Sequence, residues 1–175
     1  IDGVATVDTR ITKLALADVE GMAEPASVML VSLPDHHQQV LNRIYLRSGT
    51  LPAPVSESEA VVSEGFARAH GFKPGSTFRV LINGRNRVIR ISGTALSPEF
   101  IYALGPGDRM PDNWRFVVVW MPERALASAY GLGGAVSSVS VALLRDASQA
   151  EVVDRLDAVL DRYGLVKRRK RRRHK

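Results

Sequence analysis

Four positions in this sequence hold residue types that could do more than pack. His36 and His37 stand side by side, Asp108 and Asp112 lie four residues apart, Ser63 sits within Val-Val-Ser-Glu-Gly, and Asn83-Gly84-Arg85 interrupts an alternating stretch. The histidine pair could ligate a metal, but neighbours in an extended segment point apart and no third ligand is near in sequence, so solvent-exposed loop histidines are the simpler reading. Asp108 and Asp112 could be a carboxylate pair or a cation loop. They lack the dense acidic spacing of a calcium loop, and Gly-Asp and Pro-Asp favour turns. Ser63 lacks the G-x-S-x-G frame of a nucleophile elbow and stands where a helix cap belongs. Asn83-Gly84-Arg85 has neither the Walker spacing nor a following helix, so it reads as a turn and not as a phosphate cradle. The chain has no cysteine, which excludes a disulfide framework and any thiolate metal site. No nucleophile and base, and no ligand set, come together. The expectation is therefore a protein with no catalytic, cofactor-binding or metal residues, and a small hydrolase or metal enzyme is the disfavoured alternative.

The aromatic residues are unevenly placed. Phe100, Tyr102, Trp114, Phe116 and Trp120 fall within one short stretch of a chain that has only five Phe, four Tyr and two Trp. Core packing explains Phe116 and Trp120. Phe100, Ile101, Tyr102 and Trp114 sit among Pro and Gly turns, and two readings stay open for them: packing within a lobe, or an exposed apolar patch that contacts a partner or lipidic cargo.

The elements that must position these residues are mostly strands. Val4 to Asp8, Ile11 to Ala17 and Ser27 to Leu33 read as strands, the last stopped by Pro34. Phe78 to Ile82, Asn83-Gly84 and Arg87 to Ile91 make a hairpin, because Asn-Gly supplies the positive φ angles of a type I′ turn. Its strands alternate basic and apolar residues, so one face should be wet. Phe116 to Trp120 reads as a buried strand, and Val139, Val141 and Leu143 continue the pattern after Gly131, Gly133 and Gly134. Three helices have start and stop signals: Glu64 to His70, capped by Ser63 and ended by Gly71; a second opened by Pro122 and Glu123 and ending near Gly131; and a third with the Ser148/Glu151 capping box. The third carries an apolar stripe of Val152, Val153, Leu156, Val159, Leu160 and Tyr163 before Gly164. The strand Val136 to Leu144 and this helix form a βα unit that needs a sheet, which the N-terminal strands would supply. Linker candidates are Leu51-Pro52-Ala53-Pro54 and Gly105 to Asn113.

Composition bounds the rest. At 175 residues and 45% apolar content the chain can bury one substantial core. No apolar run approaches the roughly 18 to 20 residues of a membrane helix, the longest being Phe116 to Met121. Ile1 in place of Met, without a signal-peptide pattern, leads to the expectation of a start inside a longer chain. The net charge of +6 is a property of the tail: Lys167 to Lys175 holds eight of the 24 Lys and Arg, leaving 16 bases against 18 acids, a net −2. Residues 165–175 read as a basic tail, disordered or derived from a sequence junction or an appended segment, with a disordered anion-binding arm and a polybasic patch beside a membrane as alternatives. Tail-led nucleic-acid binding is an alternative function, whereas the body of the domain offers no basic face for nucleic acid.

Over residues 1 to 164, three stretches together resemble the extracytoplasmic, periplasmic core domain of FtsX/MacB-like ABC transporter permeases: Ser58 to Val80, Gly93 to Met121 and Gly131 to Leu144. Glu59-Ala60-Val61-Val62, Ala67, Gly71, Pro74-Gly75 and Gly93 resemble the family's recurring strand, short helix, tight turn and barrel-like strands. The run Ser97 to Tyr102 and Pro111-Asp112 resemble a narrower subgroup of generally unassigned cargo. The resemblance implies an α+β fold of two lobes: a porter-like α/β lobe from residues 1–54 and 118–164, and an inserted, mainly β, sabre-like lobe from 55–117. It implies a noncatalytic domain facing the extracytoplasmic side of a bacterial inner membrane, anchored there in the full-length protein. Through the parent permease it would work with a cytoplasmic ABC ATPase subunit, and it would couple membrane helix motion to cargo or to a periplasmic protein. The basic tail departs from the pattern, which would lead into a membrane helix after Gly164. The alternative is a free-standing periplasmic adaptor or binding module.

Overall fold

The structure, a computed structural model, describes residues 1–36, 38–100 and 112–164. The fold is α+β. Nine strands are described: β1 (Val4–Arg10), β2 (Thr12–Asp18), β3 (Ala26–Leu33), β4 (Tyr45–Gly49), β5 (Glu59–Ser63), β6 (Thr77–Ile82), β7 (Arg85–Leu96), β8 (Phe116–Pro122) and β9 (Ser138–Leu143). Three helices accompany them: α1 (Glu64–His70), α2 (Glu123–Tyr130) and α3 (Gln149–Leu160), the last continued by a single 3-10 turn.

Seven strands form one sheet in the order β4-β7-β5-β8-β3-β2-β6, and β6 also pairs with β7. That extra pairing closes β7, β5, β8, β3, β2 and β6 into a six-stranded barrel. The twelve-residue β7 makes closure geometrically simple: Arg85 to Arg90 pair with β6, while Gly93 to Leu96 pair with β4 farther along. The hairpin joining β6 and β7 is the expected one, with Asn83 at φ 47° and Gly84 at φ 75°. Alternation then sorts the side chains. Val28 and Leu30 of β3, Ala60 and Val62 of β5, Phe78, Val80 and Ile82 of β6, and Val117, Val119 and Met121 of β8 share one buried core inside the barrel. The opposite faces of β3, β5 and β8 carry Val31, Leu33, Val61, Val118 and Trp120, which form a second core with Ile44 and Phe100. Having apolar residues on both faces makes β8 buried at all seven positions.

The two shorter helices plug the barrel, since α1 follows β5, α2 follows β8, and these strands run in opposite directions. Phe66 and Ala67 of α1, and Ala125 and Leu126 of α2, enter the inner core. Ser63 stands at the α1 N-cap but does not cap with its side chain; its Oγ instead accepts the Val118 N–H at 3.3 Å, which corrects the sequence expectation. At α2 the capping oxygen comes from a distance: Asp35 Oδ2 accepts the Arg124 N–H at 2.8 Å. Ser148 does cap α3, accepting the Glu151 N–H at 3.5 Å.

By contacts between residues, the chain divides into two compact units, one of Ile1–Val7 with the chain from Val141 onward and one of Asp8–Ser140. The expected boundaries at 54/55 and 117/118 fall within the second unit, because β3 and β2 complete the same barrel as β5 to β8. β1 pairs with β9, the N-terminal pairing that the Val136 to Leu144 strand required. In the first unit Leu144 donates its N–H to Gly3 O at 2.9 Å. There α3 buries Val152 against this end of the chain, where a Cβ on Gly3 would come 2.9 Å from Val152 Cγ2.

Candidate interaction surface

The segments on either side of residues 101–111 are held in place by different chemistry. On the N-terminal side, Ser97 is buried and its Oγ accepts the Glu99 N–H at 3.2 Å. The Glu99 carboxylate takes two N–H groups of Arg10 at 2.5 and 2.6 Å, a fork-to-fork pair whose side chains are only 20% and 12% exposed. Phe100 then lays its ring edge-on to Trp120, with centroids 6.1 Å apart, and joins the second core. Phe100 is thus a packing residue with part of its surface in solvent. Arg10 also lines a small open cleft with Asp8, Ser32, Pro34, Gln39, Leu41 and Ser140.

On the C-terminal side, Asp112 Oδ1 accepts the N–H groups of Trp114 and Arg115 at 2.9 and 3.2 Å, making the turn that Pro-Asp suggested. The turn presents Trp114 outward, 57% exposed. Its backbone is fixed by His70, whose Nε2 lies 2.9 Å from Trp114 O; a carbonyl only accepts, so Nε2 carries the proton. The two rings meet edge to face at 4.5 Å. His70 in turn stacks on Phe72 and packs against Phe66, and both phenylalanines contact Phe78. A continuous chain of rings therefore runs from the barrel core to an exposed indole. Such an indole offers a rigid amphipathic surface with little conformational entropy to lose on contact.

Of the four residues expected at a contact surface, Phe100 and Trp114 are described and lie on separate aromatic clusters, while Ile101 and Tyr102 lie outside the described residues. So does Asp108. His36 is exposed, and His37 lies outside the described residues. Among the described residues no group of three or more His, Cys, Asp or Glu could hold a metal ion. Sequence reasoning missed His70: it ends α1 without any periodic signal, and only the fold brings it under Trp114.

One carboxylate is tuned. Glu59 is held below the usual carboxylate range, first by the N–H donated from Ala53 and then by Arg90, while partial burial works in the other direction. The Ala53 contact ties the proline-containing segment after β4 to the start of β5.

No protein-family model matches the sequence, and no curated protein matches it. Among solved structures, the fold is similar to those of two transporter domains, one periplasmic and one extracellular. It is similar to the periplasmic region of MacB from Actinobacillus actinomycetemcomitans, with a TM-score of 0.53 and 14% identity over 93% of this chain and 69% of that one. It is similar also to the extracellular domain of the noncanonic ABC-type transporter YknZ from Gram-positive bacteria, with a TM-score of 0.55 and 16% identity over 94% and 79%. At these identities the likeness is one of fold. No helix among the described residues is long and apolar enough to cross a membrane.

Proposed function

We propose that this chain is a noncatalytic extracytoplasmic domain of an FtsX/MacB-type ABC transporter permease, and that it passes ATP-driven motion of the membrane helices on to cargo or to a periplasmic partner. The observation that carries this reading is the fold likeness over nearly the whole chain to two transporter domains, one periplasmic and one extracellular. A second observation accords with it: the N-terminal segment Ile1–Val7 and the chain from Val141 onward share one compact unit, as the porter-like lobe of this reading is built from both parts of the chain. In this reading the unit from the two chain ends is porter-like, the barrel is the inserted lobe, and the parent protein sits in a bacterial inner membrane with a cytoplasmic ATPase as its partner. Trp114 is the contact residue of the barrel, and Phe100 supports the same segment from the core.

The test is made in the parent gene. Its sequence should encode hydrophobic helices on both sides of residues 1–164, and the expressed protein should co-purify with an ABC ATPase in detergent. A parent with neither helix would establish the free-standing adaptor or binding module in its place. A parent with both helices but no associated ATPase would remove the coupling role.

A further inference from the structure

The outer wall of the barrel carries an apolar patch that no described residue covers. Leu14 and Leu16 of β2, Leu81 of β6 and Val88 of β7 are 60%, 46%, 39% and 56% exposed. The register makes them neighbours. Leu16 stands directly opposite Leu81, Leu14 lies two residues along the same strand face, and Val88, opposite Arg79, is diagonal to Leu81. A one-residue slip of β2 could not hide its leucines without exposing Ala15 and Ala17, so the patch is fixed by the same alternation that fills the barrel. Bordering it, Asp18 and Arg79 face each other across β2 and β6, 71% and 65% exposed, with their charged atoms 3.7 Å apart.

We propose that this wall is a self-association surface, covered by a second copy of the same chain related by a two-fold axis parallel to the strands and midway between β2 and β6. That axis sets Leu16 of each copy over Leu81 of the other and Asp18 of each over Arg79 of the other. The patch is complementary to itself because its rim carries one charge of each sign on the two strands that the axis exchanges. An in-plane axis running across the strands at Leu16 would instead set Asp18 over Leu14 and bury a charge on an aliphatic side chain. A lipid surface fits less well, since the apolar residues lie along the wall while the projecting hairpin tip is Asn83-Gly84. The patch covers on the order of a few hundred Å², short of the roughly 800 Å² per partner that stable interfaces bury. Association of the free chain is therefore weak, and it strengthens when two copies are held side by side at high local concentration.

The absence of cysteine makes the test direct, because single Leu16→Cys and Leu81→Cys variants of the full chain report proximity without background thiols. An equimolar mixture of the two variants should form the mixed disulfide several-fold faster than either variant forms its own dimer, or than exposed Val55→Cys does. Asp18→Arg and Arg79→Asp should each slow the cross-link, and the double exchange, placed in both partners, should restore it. Circular dichroism confirms that the variants fold. Equal rates in all mixtures would overturn the proposal. So would a cross-link unaffected by the charge variants, or a Leu16→Asp variant whose only change is weaker retention on phosphatidylglycerol vesicles.

Discussion

Trp114 and Trp120 lie six residues apart and do opposite work. Trp120 is 1% exposed and central to the second core, whereas Trp114 stands on a turn in solvent. Trp120→Ala should cost about 3–5 kcal/mol, as truncation of a buried aromatic does. Trp114→Ala should change stability by no more than about 0.5–1 kcal/mol, as at a surface position that loses one edge contact, and under the proposed function it should nonetheless impair transport by the intact protein. Thermal melts of the two variants check the first pair of statements, and a large loss at Trp114 would make it packing. Composition and turn residues marked this stretch in the sequence, but could not say which indole faces water; that depends on β8 having a barrel inside it and a second core outside. Glu59 gives a pH prediction. Its carboxyl is held below its usual range in the fold, chiefly by the Ala53 N–H, so the stabilisation is present above the unfolded-state pKa and is lost as pH falls through the folded one. In acid titrations followed by circular dichroism, Glu59→Gln should flatten the loss of stability on the acid side of about pH 4.5 and leave the neutral-to-alkaline limb unchanged in shape.

At the scale of elements, the sequence was most legible where the chain speaks locally. Asn-Gly announced the β6–β7 turn, Gly71 and Gly131 end α1 and α2 in left-handed conformations, and strict alternation marked β6. β4 was missed because all five of its residues are exposed, which leaves no period to read. β7 was seen only as far as Ile91, whereas it continues to Leu96 through Gly93, a residue that ordinarily weakens a strand. The structure shows why glycine stands there. A Cβ on Gly93 would lie 2.6 Å from Ser48 O and 2.8 Å from Thr50 O, both backbone atoms of β4 and the residue after it. Gly93→Ala must therefore push β4 off β7, and should cost at least the roughly 1–3 kcal/mol of an overpacked site. Hydrogen exchange should show the loss of protection confined to β4 and the facing end of β7; a uniform loss across the barrel would mean that β4 is integral to closure.

At the scale of the whole molecule, the least legible feature was the closed sheet. Closure needs β6 to pair on one side with β2, far behind it in sequence, and β3 to run parallel to β8, nearly ninety residues ahead. Local pattern carries no information about such partners, so the boundary drawn at residue 54 cut through one barrel. Closure also has a thermodynamic consequence. The barrel unit buries two apolar cores, whereas in the unit of the two chain ends Val152 is the one described hydrophobic residue that is buried. The α3 stripe read from the sequence is real in its spacing, but Val159 and Tyr163 are 42% and 72% exposed, and a two-stranded pairing adds little by itself. Local opening free energy follows buried apolar contact. Amides of α3 and of β9 from Val141 onward should therefore exchange through openings well below the global unfolding free energy, while those of β3, β5 and β8 exchange only with it. Native-state hydrogen exchange in increasing denaturant measures both classes on one sample, and convergence of α3 with β8 at low denaturant would show that the two units unfold as one.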